Sequence, residues 1–286
     1  MSSQTWFVTG ASQGIGRAVT ERLLARGDRV AATARTPEQL NDLADKYGDL
    51  LWTAALDVTD TIALREVVDR AFAELGRIDV ILSNAGQGAF GAAEELSDDA
   101  VLGQIALNQT APIQLTRAVL PHLRAQGGGR FIQVSTMGGQ ISTPGGSMYH
   151  SSKWGVEGFF ESVIGEVAPF GVGITIVEPG NVRTEFGSAM SIADAIADYA
   201  VTPVGQMRQF IEGAGNLTGG AIGDPQKIAA AIIDSASVAP APRRLVLGSD
   251  AYEAVHAALA GRLAELEASR TVSLSTDFLV ISEVGS

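Results

Sequence analysis

Apolar runs and amphipathic stretches alternate along this chain with few interruptions. Thr5 to Thr9 (TWFVT) reads as a buried first strand, and Ile15, Val19, Leu23 and Leu24 recur on one face of a helix from Ile15 to Arg26. Arg29 to Ala34 reads as a second strand, Pro37 to Tyr47 as a helix with proline near its first turn, and Leu50 to Leu56 as a third strand. Thr59 to Leu75 is then helical, and Asp79 to Leu82 is a fourth strand running into Ser83-Asn84-Ala85-Gly86. A long helical region from Ser97 to Gln126 stops at Gly127-Gly128-Gly129. Arg130 to Ser135 is the fifth strand, Met148 to Phe170 a helix, and Gly173 to Val177 the sixth strand, closed by Pro179-Gly180. Beyond Thr184 the order loosens. Pro225 to Ser235 is a helix, Arg243 to Leu247 a last strand and Ala251 to Ser269 an amphipathic helix, while 270–286 carries no pattern.

Strand–helix alternation of this kind predicts an α/β fold: a doubly wound parallel sheet with right-handed crossovers and helices on both faces. No internal repeat or low-complexity linker divides the 286 residues, so a single domain over 1–286 is expected. Within it, 184–224 forms a substrate-side loop or lid, with the glycines from Gly213 to Gly223 making it mobile.

Composition narrows the function classes. The net charge of −12 and the lack of any basic run argue against a nucleic-acid surface. No cysteine is present, so disulfides and thiolate chemistry are excluded, which fits a reducing, cytoplasmic setting. The first strand starts by Thr5, leaving no room for a signal peptide, and no apolar run approaches the ~18 residues of a membrane span. His122, His150 and His256 are too scattered for a metal site.

The first chemical signal is TGASQGIG, Thr9 to Gly16, between the first strand and first helix. Gly10 permits a tight turn, Gly14 lets a pyrophosphate approach the backbone, and Gly16 allows close helix–sheet packing. Phosphates then face the N-terminus around Ile15, where free N–H groups and the helix dipole favour anions. The same residues match a second pattern, the G-x-S-x-G nucleophile elbow, with Ser12 as nucleophile of a serine hydrolase. That reading needs a later acid and histidine. Asp250 and His256 are the one late pair, both in or beside the terminal helix. At the end of the second strand, where an acid would bind the adenosine ribose hydroxyls of NAD, stands Ala34-Arg35-Thr36. Arg35 suits a 2′-phosphate through paired, charge-assisted hydrogen bonds, with Arg17 adding charge and Ser12 a hydroxyl. NADP(H) is therefore expected over NAD(H).

The second signal is Tyr149 and Lys153, four apart in a helical segment and so stacked on one face. A cation beside a phenol favours the phenolate and lowers its pKa from ~10. Such a tyrosine can give a proton to a carbonyl oxygen or take one from an alcohol.

With TGASQGIG, Asp57-Val58, SNAG at Ser83 to Gly86, Asn108, Val134-Ser135-Thr136, Tyr149/Lys153 and Pro179-Gly180 through Thr184 in order, the chain resembles the short-chain dehydrogenase/reductase family, in its shorter single-domain branch. The resemblance covers Thr5 to about Thr184. It implies a Rossmann-type sheet of order 3-2-1-4-5-6-7 and hydride transfer with a nicotinamide cofactor. It also implies roles. Tyr149 is the acid/base; Lys153 binds the nicotinamide ribose and depresses the tyrosine pKa; Asn108 holds a water in a proton relay. Asp57 and Val58 flank the adenine, Asn84, Ala85 and Gly86 line the cofactor floor, and Val182 and Thr184 meet the carboxamide beside Pro179 and Gly180. Read without the resemblance, Asp57 is an N-cap for the helix near Thr59 and Asn108 a kink residue.

Two positions depart from the family pattern. Its serine, thirteen residues before the tyrosine, is here Thr136; strand alternation turns the adjacent Ser135 to the other face, although a loop of altered length would return the role to it. Ser83 replaces the first Asn of the usual Asn-Asn-Ala-Gly. The substrate is expected over the nicotinamide, with Phe90, Ile141, Phe186, Met190, Ile192, Tyr199, Met207 and Phe210 as lining or small-core residues. Arg208 is the lid's cation, so a hydrophobic ketone, aldehyde or secondary alcohol is favoured over an anionic acid. The resemblance further suggests a homodimer or homotetramer. A catalytically idle NADP(H)-binding sensor remains the alternative, against which Asn108, Tyr149 and Lys153 count.

Overall fold

The computed structural model describes residues 3–213 and 220–278. The first half runs β1 (Thr5–Thr9), α1 (Gly14–Arg26), β2 (Arg29–Ala34), α2 (Asn41–Tyr47), β3 (Leu51–Ala55), α3 (Thr61–Leu75), β4 (Val80–Ser83), β5 (Ala89–Phe90), α4 (Asp98–Ile105) and α5 (Ala111–Ala125). The second half runs β6 (Gly129–Val134), α6 (Ser147–Val167), β7 (Val172–Pro179), β8 (Ser191–Ile192), α7 (Pro203–Gly213), α8 (Pro225–Ser235), β9 (Arg244–Leu247), α9 (Ser249–Ala268) and α10 (Arg270–Ser275).

Seven strands form one sheet in the order β3-β2-β1-β4-β6-β7-β9, with every pair parallel. Once the two short strands are set aside, this is the order 3-2-1-4-5-6-7 of a Rossmann-type sheet. Burial follows the period of two. Trp6 and Val8 of β1 enter the core shared with α1 and α8, while Phe7 enters the opposite core with α3, α5 and α6. Trp6, Phe7, Phe131 and Phe160 are fully buried, each stabilising the fold by about 2 kcal/mol or more through burial of apolar surface.

Three boundaries differ from expectation. Pro37–Leu40 is a 3-10 turn, and the α-helix α2 begins only at Asn41. The long helix 97–126 is broken by a π turn at Ala106–Thr110, centred on Asn108. The N-cap of α3 is Asp60, which accepts from Ile62 N and Ala63 N at 3.0 Å; Asp57 instead accepts from Thr59 N and Thr59 Oγ1 at 2.9 and 2.7 Å. Sequence periodicity also passes over β5 and β8, a two-residue parallel pair too short to show a pattern. Part of the expected Gly213–Gly223 lid, 214–219, and the tail 279–286 lie outside the described residues. No helix among the described residues is long and apolar enough to cross a membrane.

Candidate active site

The sheet order reverses between β2, β1 and β4, and the chain ends of β1 and β4 face a crevice there, the usual place for a ligand in an open α/β sheet. Gly10 and Gly14 take left-handed φ of 64° and 57°. A Cβ on Gly16 would fall 2.3 Å from Gly10 O, so only glycine lets α1 start this close to the turn. Asn84 fastens the turn from β4: its Nδ2 donates to Thr9 O and Gly10 O at 3.0 and 3.1 Å. Asn84 N and Ala85 N donate to Thr9 Oγ1. From the other side Thr184 packs on Gly14, where a Cβ would meet its Cβ at 3.5 Å. The sequence-expected Gly10, Gly14, Gly16, Asn84, Ala85 and Thr184 thus meet at one turn.

At the end of β2, Arg35 is exposed, and its charge together with the two Thr59 hydrogen bonds holds the Asp57 carboxyl below the usual range, the hydrogen bonds counting most. Arg17 is placed otherwise. Its Nε donates to Glu21 Oε1 at 2.6 Å, its Nη1 to Gln39 O at 3.0 Å, and its Nη2 pairs with Asp42. The cationic contribution expected of Arg17 is matched by two carboxylates, and Arg35 is the cation left at the β2 end.

The catalytic candidates come together at the ends of β6 and α6. Lys153 is 5% exposed; its Nζ donates to Val134 O at 3.2 Å and lies 5.9 Å from the Tyr149 ring centroid. The Thr136 hydroxyl lies beside the half-buried Tyr149 phenol; it donates to Pro179 O at 3.4 Å and accepts from Gly138 N at 3.3 Å. Ser135 is turned away, its Oγ donating to Glu157 Oε1 at 2.5 Å. Strand alternation separates the two hydroxyls.

The expected depression of the phenol pKa by Lys153 is not met in this geometry. Burial pushes Tyr149 up to about 12, and the Thr136 hydrogen bond offsets only part of that. Burial also pushes Lys153 down to about 8, with Glu157 pulling the other way. The phenol is therefore held protonated, suited to donate.

Asn108 is fully buried on the π turn. Its Nδ2 donates to Gln87 O and Gln104 Oε1 at 2.8 and 3.0 Å, and its Oδ1 accepts from Gln87 N at 3.1 Å. Both amide protons are taken, and one lone pair of Oδ1 remains. Gly86 lies between this oxygen and Lys153: a Cβ there would meet Asn108 Oδ1 at 3.1 Å and Lys153 Nζ at 3.7 Å. The glycine turn, the open floor at Gly86 and a buried ammonium beside it fit the phosphates and a ribose of a dinucleotide.

Two residues to which the sequence reading gave no such part, His150 and Asp250, brace this site. His150 Nδ1 donates to Gly138 O at 2.9 Å while Nε2 accepts from Thr143 N at 3.2 Å, a tautomer assigned from these partners. Asp250 of α9 accepts from Asn181 N at 2.8 Å, fixing the chain just after Pro179 and Gly180. Val182 bridges to Gly223. No hydrogen bond joins Ser12 to Asp250 or His256; His256 stacks on Tyr252 instead, which removes the triad the hydrolase reading needs.

On the substrate side, Phe186 tilts against Tyr149. Phe90, Tyr199 and Met207 pack with Ala92, Val204, Ile211 and Met190 into a small separate core, whereas Ile192 and Phe210 are exposed. Arg208 Nη2 pairs with Glu95 Oε2 at 2.6 Å, and the Glu95 side chain is shielded from solvent although the residue as a whole is half-buried. The lid's cation is neutralised. Among the described residues no group of three or more His, Asp or Glu is placed to hold a metal.

Residues 4–194 match the family model described as short chain dehydrogenase, and the chain belongs to that family. It is an oxidoreductase of this family, acting on a small-molecule substrate. It is 39% identical to Oxidoreductase BOA17 of Botryotinia fuckeliana over 92% of this chain and 94% of that one. It is 33% identical to the 3-ketodihydrosphingosine reductase of Bacteroides thetaiotaomicron over 70% and 73%. Among solved structures it resembles a short-chain dehydrogenase from Streptomyces avermitilis, with 40% identity, a TM-score of 0.89, and coverage of 96% of this chain and 99% of that one.

Proposed function

We propose that this protein is an NADP(H)-dependent oxidoreductase that interconverts a hydrophobic alcohol with its ketone or aldehyde, with Tyr149 as acid/base. The observation that carries the reading is the Thr136–Tyr149–Lys153 cluster beside Gly86, at the mouth of the glycine turn. A cofactor here would have its phosphates at Gly10, Ser12, Gly14, Ile15 and Gly16. Arg35 would meet a 2′-phosphate, Asp57 and Val58 the adenine, Asn84, Ala85, Gly86 and Lys153 the nicotinamide ribose side, and Pro179, Gly180, Val182 and Thr184 the carboxamide. When bound, NADPH supplies a hydride to a carbonyl carbon, and NADP⁺ accepts one from an alcohol.

This chain's residues manage the proton. Tyr149 Oη gives its proton to the carbonyl oxygen as that oxygen gains charge, and recovers it from an alcohol in the reverse direction. Thr136 Oγ1 orients the same oxygen. The Lys153 ammonium lies close enough to stabilise the phenolate that proton donation leaves behind. Phe186 shields the phenol, and with Arg208 already paired to Glu95 the lid offers no free cation for an anionic substrate. The 3-ketodihydrosphingosine reductase from Bacteroides thetaiotaomicron, named for reduction of a keto compound, is consistent with carbonyl reduction.

The test is a fluorescence titration with NADPH and NADH in parallel, followed by turnover of a carbonyl panel by wild type and Tyr149→Phe. Tighter NADPH binding, and turnover that the variant loses while binding survives, is the expected result. Binding of neither cofactor, or activity confined to carboxylate or phosphate substrates, would overturn it.

A further inference from the structure

Three consecutive residues at the end of β6 face three residues of α6. Val134 O accepts from Lys153 Nζ, Ser135 Oγ donates to Glu157 Oε1, and the Thr136 hydroxyl lies beside the Tyr149 phenol. On α6 these partners stand at i, i+4 and i+8 from Tyr149, so they share one face. Glu157, 2% exposed, also reaches the far end of the loop that carries Thr136: its Oε2 accepts from Gln140 Nε2 at 2.7 Å and from Arg244 Nη1 at 2.5 Å. The loop passes directly over this carboxylate, since a Cβ on Gly139 would lie 1.7 Å from Glu157 Oε1.

We propose that Glu157 is a positioning residue for the acid/base pair: it clamps both ends of the Ser135–Gln140 segment so that Thr136 meets Tyr149, and it sets a carboxylate one helical turn beyond Lys153 as the counter-charge to its ammonium. The reading rests on the oxidoreductase function proposed above. Around Lys153 the titratable neighbours are Glu157 and Tyr149, both on α6; β6 presents the Val134 carbonyl, and the π turn and the loop after β4 present Asn108 and Gly86. Around Glu157 stand Arg244 of β9, Glu178 of β7 and Glu161 of α6, with Arg262 of α9 behind Gln140. The Arg244 guanidinium is shared among Glu157, Glu161 and Glu178, and burial, with Glu157 beside it, pushes Glu178 up to about 7.

The chain has three lysines, Lys46, Lys153 and Lys227, so protein labelled with ¹³C at lysine Cε gives a readily assigned NMR titration without cofactor. The Lys153 signal in Glu157→Gln is expected to titrate about one pH unit lower than in wild type, as loss of a nearby opposite charge requires. Its kcat should fall about tenfold or more from misplacement of Thr136. Ser135→Ala and Glu157→Asp cut or shorten the clamp but keep the charge, so kcat should fall while the Lys153 titration stays near wild type. An unmoved Lys153 in Glu157→Gln would overturn the electrostatic half. Full kcat in both charge-retaining variants would overturn the positioning half, and these two decide it even if Glu157→Gln does not fold. A wild type that turns over no carbonyl would instead fail the proposed function, leaving the NMR arm intact.

Discussion

The rings of Phe186 and Tyr149 lie against each other, centroids 5.9 Å apart and planes at 53°. One belongs to the irregular stretch after β7 and the other to α6, so the stretch after β7 covers the Tyr149 ring directly. Phe186 is still 40% exposed, which leaves one edge free for an apolar substrate. Phe186→Ala is therefore expected to raise KM for an apolar ketone by about tenfold or more, the scale of losing an aromatic contact of roughly 1.5–3 kcal/mol. Steady-state kinetics on ketones of increasing chain length check this; an unchanged KM across the series would remove Phe186 from the substrate path.

The sequence assigns the 2′-phosphate to Arg35 with Arg17 adding charge, and in the fold Arg17 is paired with two carboxylates. With Arg17 tied to Glu21 and Asp42, the 2′-phosphate would depend on Arg35. Arg35→Ala should weaken NADPH binding about 10- to 100-fold, the equivalent of charged hydrogen bonds of about 1.5–3 kcal/mol, and leave NADH binding alone. Parallel titrations read both, and equal losses for the two cofactors would make Arg35 a bystander.

Lys153 sets a pH dependence whose sign is fixed. Burial lowers its pKa in the folded chain to about 8 from an unperturbed 10.5, so the folded state binds the proton less well than the unfolded one. The stability this group contributes is present above pH 10.5 and is lost as pH falls to about 8. Lys153→Met, of similar length and uncharged, is expected to melt above wild type at pH 7, with the gap closing toward pH 10.5. Thermal melts across that range decide it, and a gap that widens with pH would contradict the assignment.

The Glu95–Arg208 pair joins the loop after β5 to α7 from residues 113 apart in sequence. Glu95 also accepts from Ala92 N and Ile196 N at 2.7 and 2.9 Å, and Arg208 donates to Ala193 O at 2.7 Å. Glu95→Ala leaves the guanidinium with no carboxylate partner there, a loss of about 3 kcal/mol or more for breaking a buried pair. The expected outcome is a lower Tm and faster proteolysis between β8 and α7. Resistance equal to wild type would mean that the small core around Phe90 holds the lid unaided.

Periodicity along the chain determined most of the architecture. A face of a helix or strand is a local property: the period of two put Trp6 and Val8 on one side of the sheet and Phe7 on the other, and the period of 3.6 put Tyr149 and Lys153 on one face of α6. The glycine turn was legible for the same reason, since positive φ at Gly10 and Gly14 and the contact at Gly16 constrain residue type within a few positions.

What only the tertiary structure decided was which side chains meet across elements. Glu157 already stood in phase with Tyr149 and Lys153, yet its partners Ser135, Gln140 and Arg244 come from β6, the loop after it and β9, and only strand register and helix packing bring them to one carboxylate. The pairing of Arg17 with Glu21 and Asp42, the Glu95–Arg208 pair and the cover of Phe186 over Tyr149 arise in the same way. Burial likewise reversed the expected direction of the phenol's pKa, because desolvation depends on everything packed around a group and not on the residue four positions away.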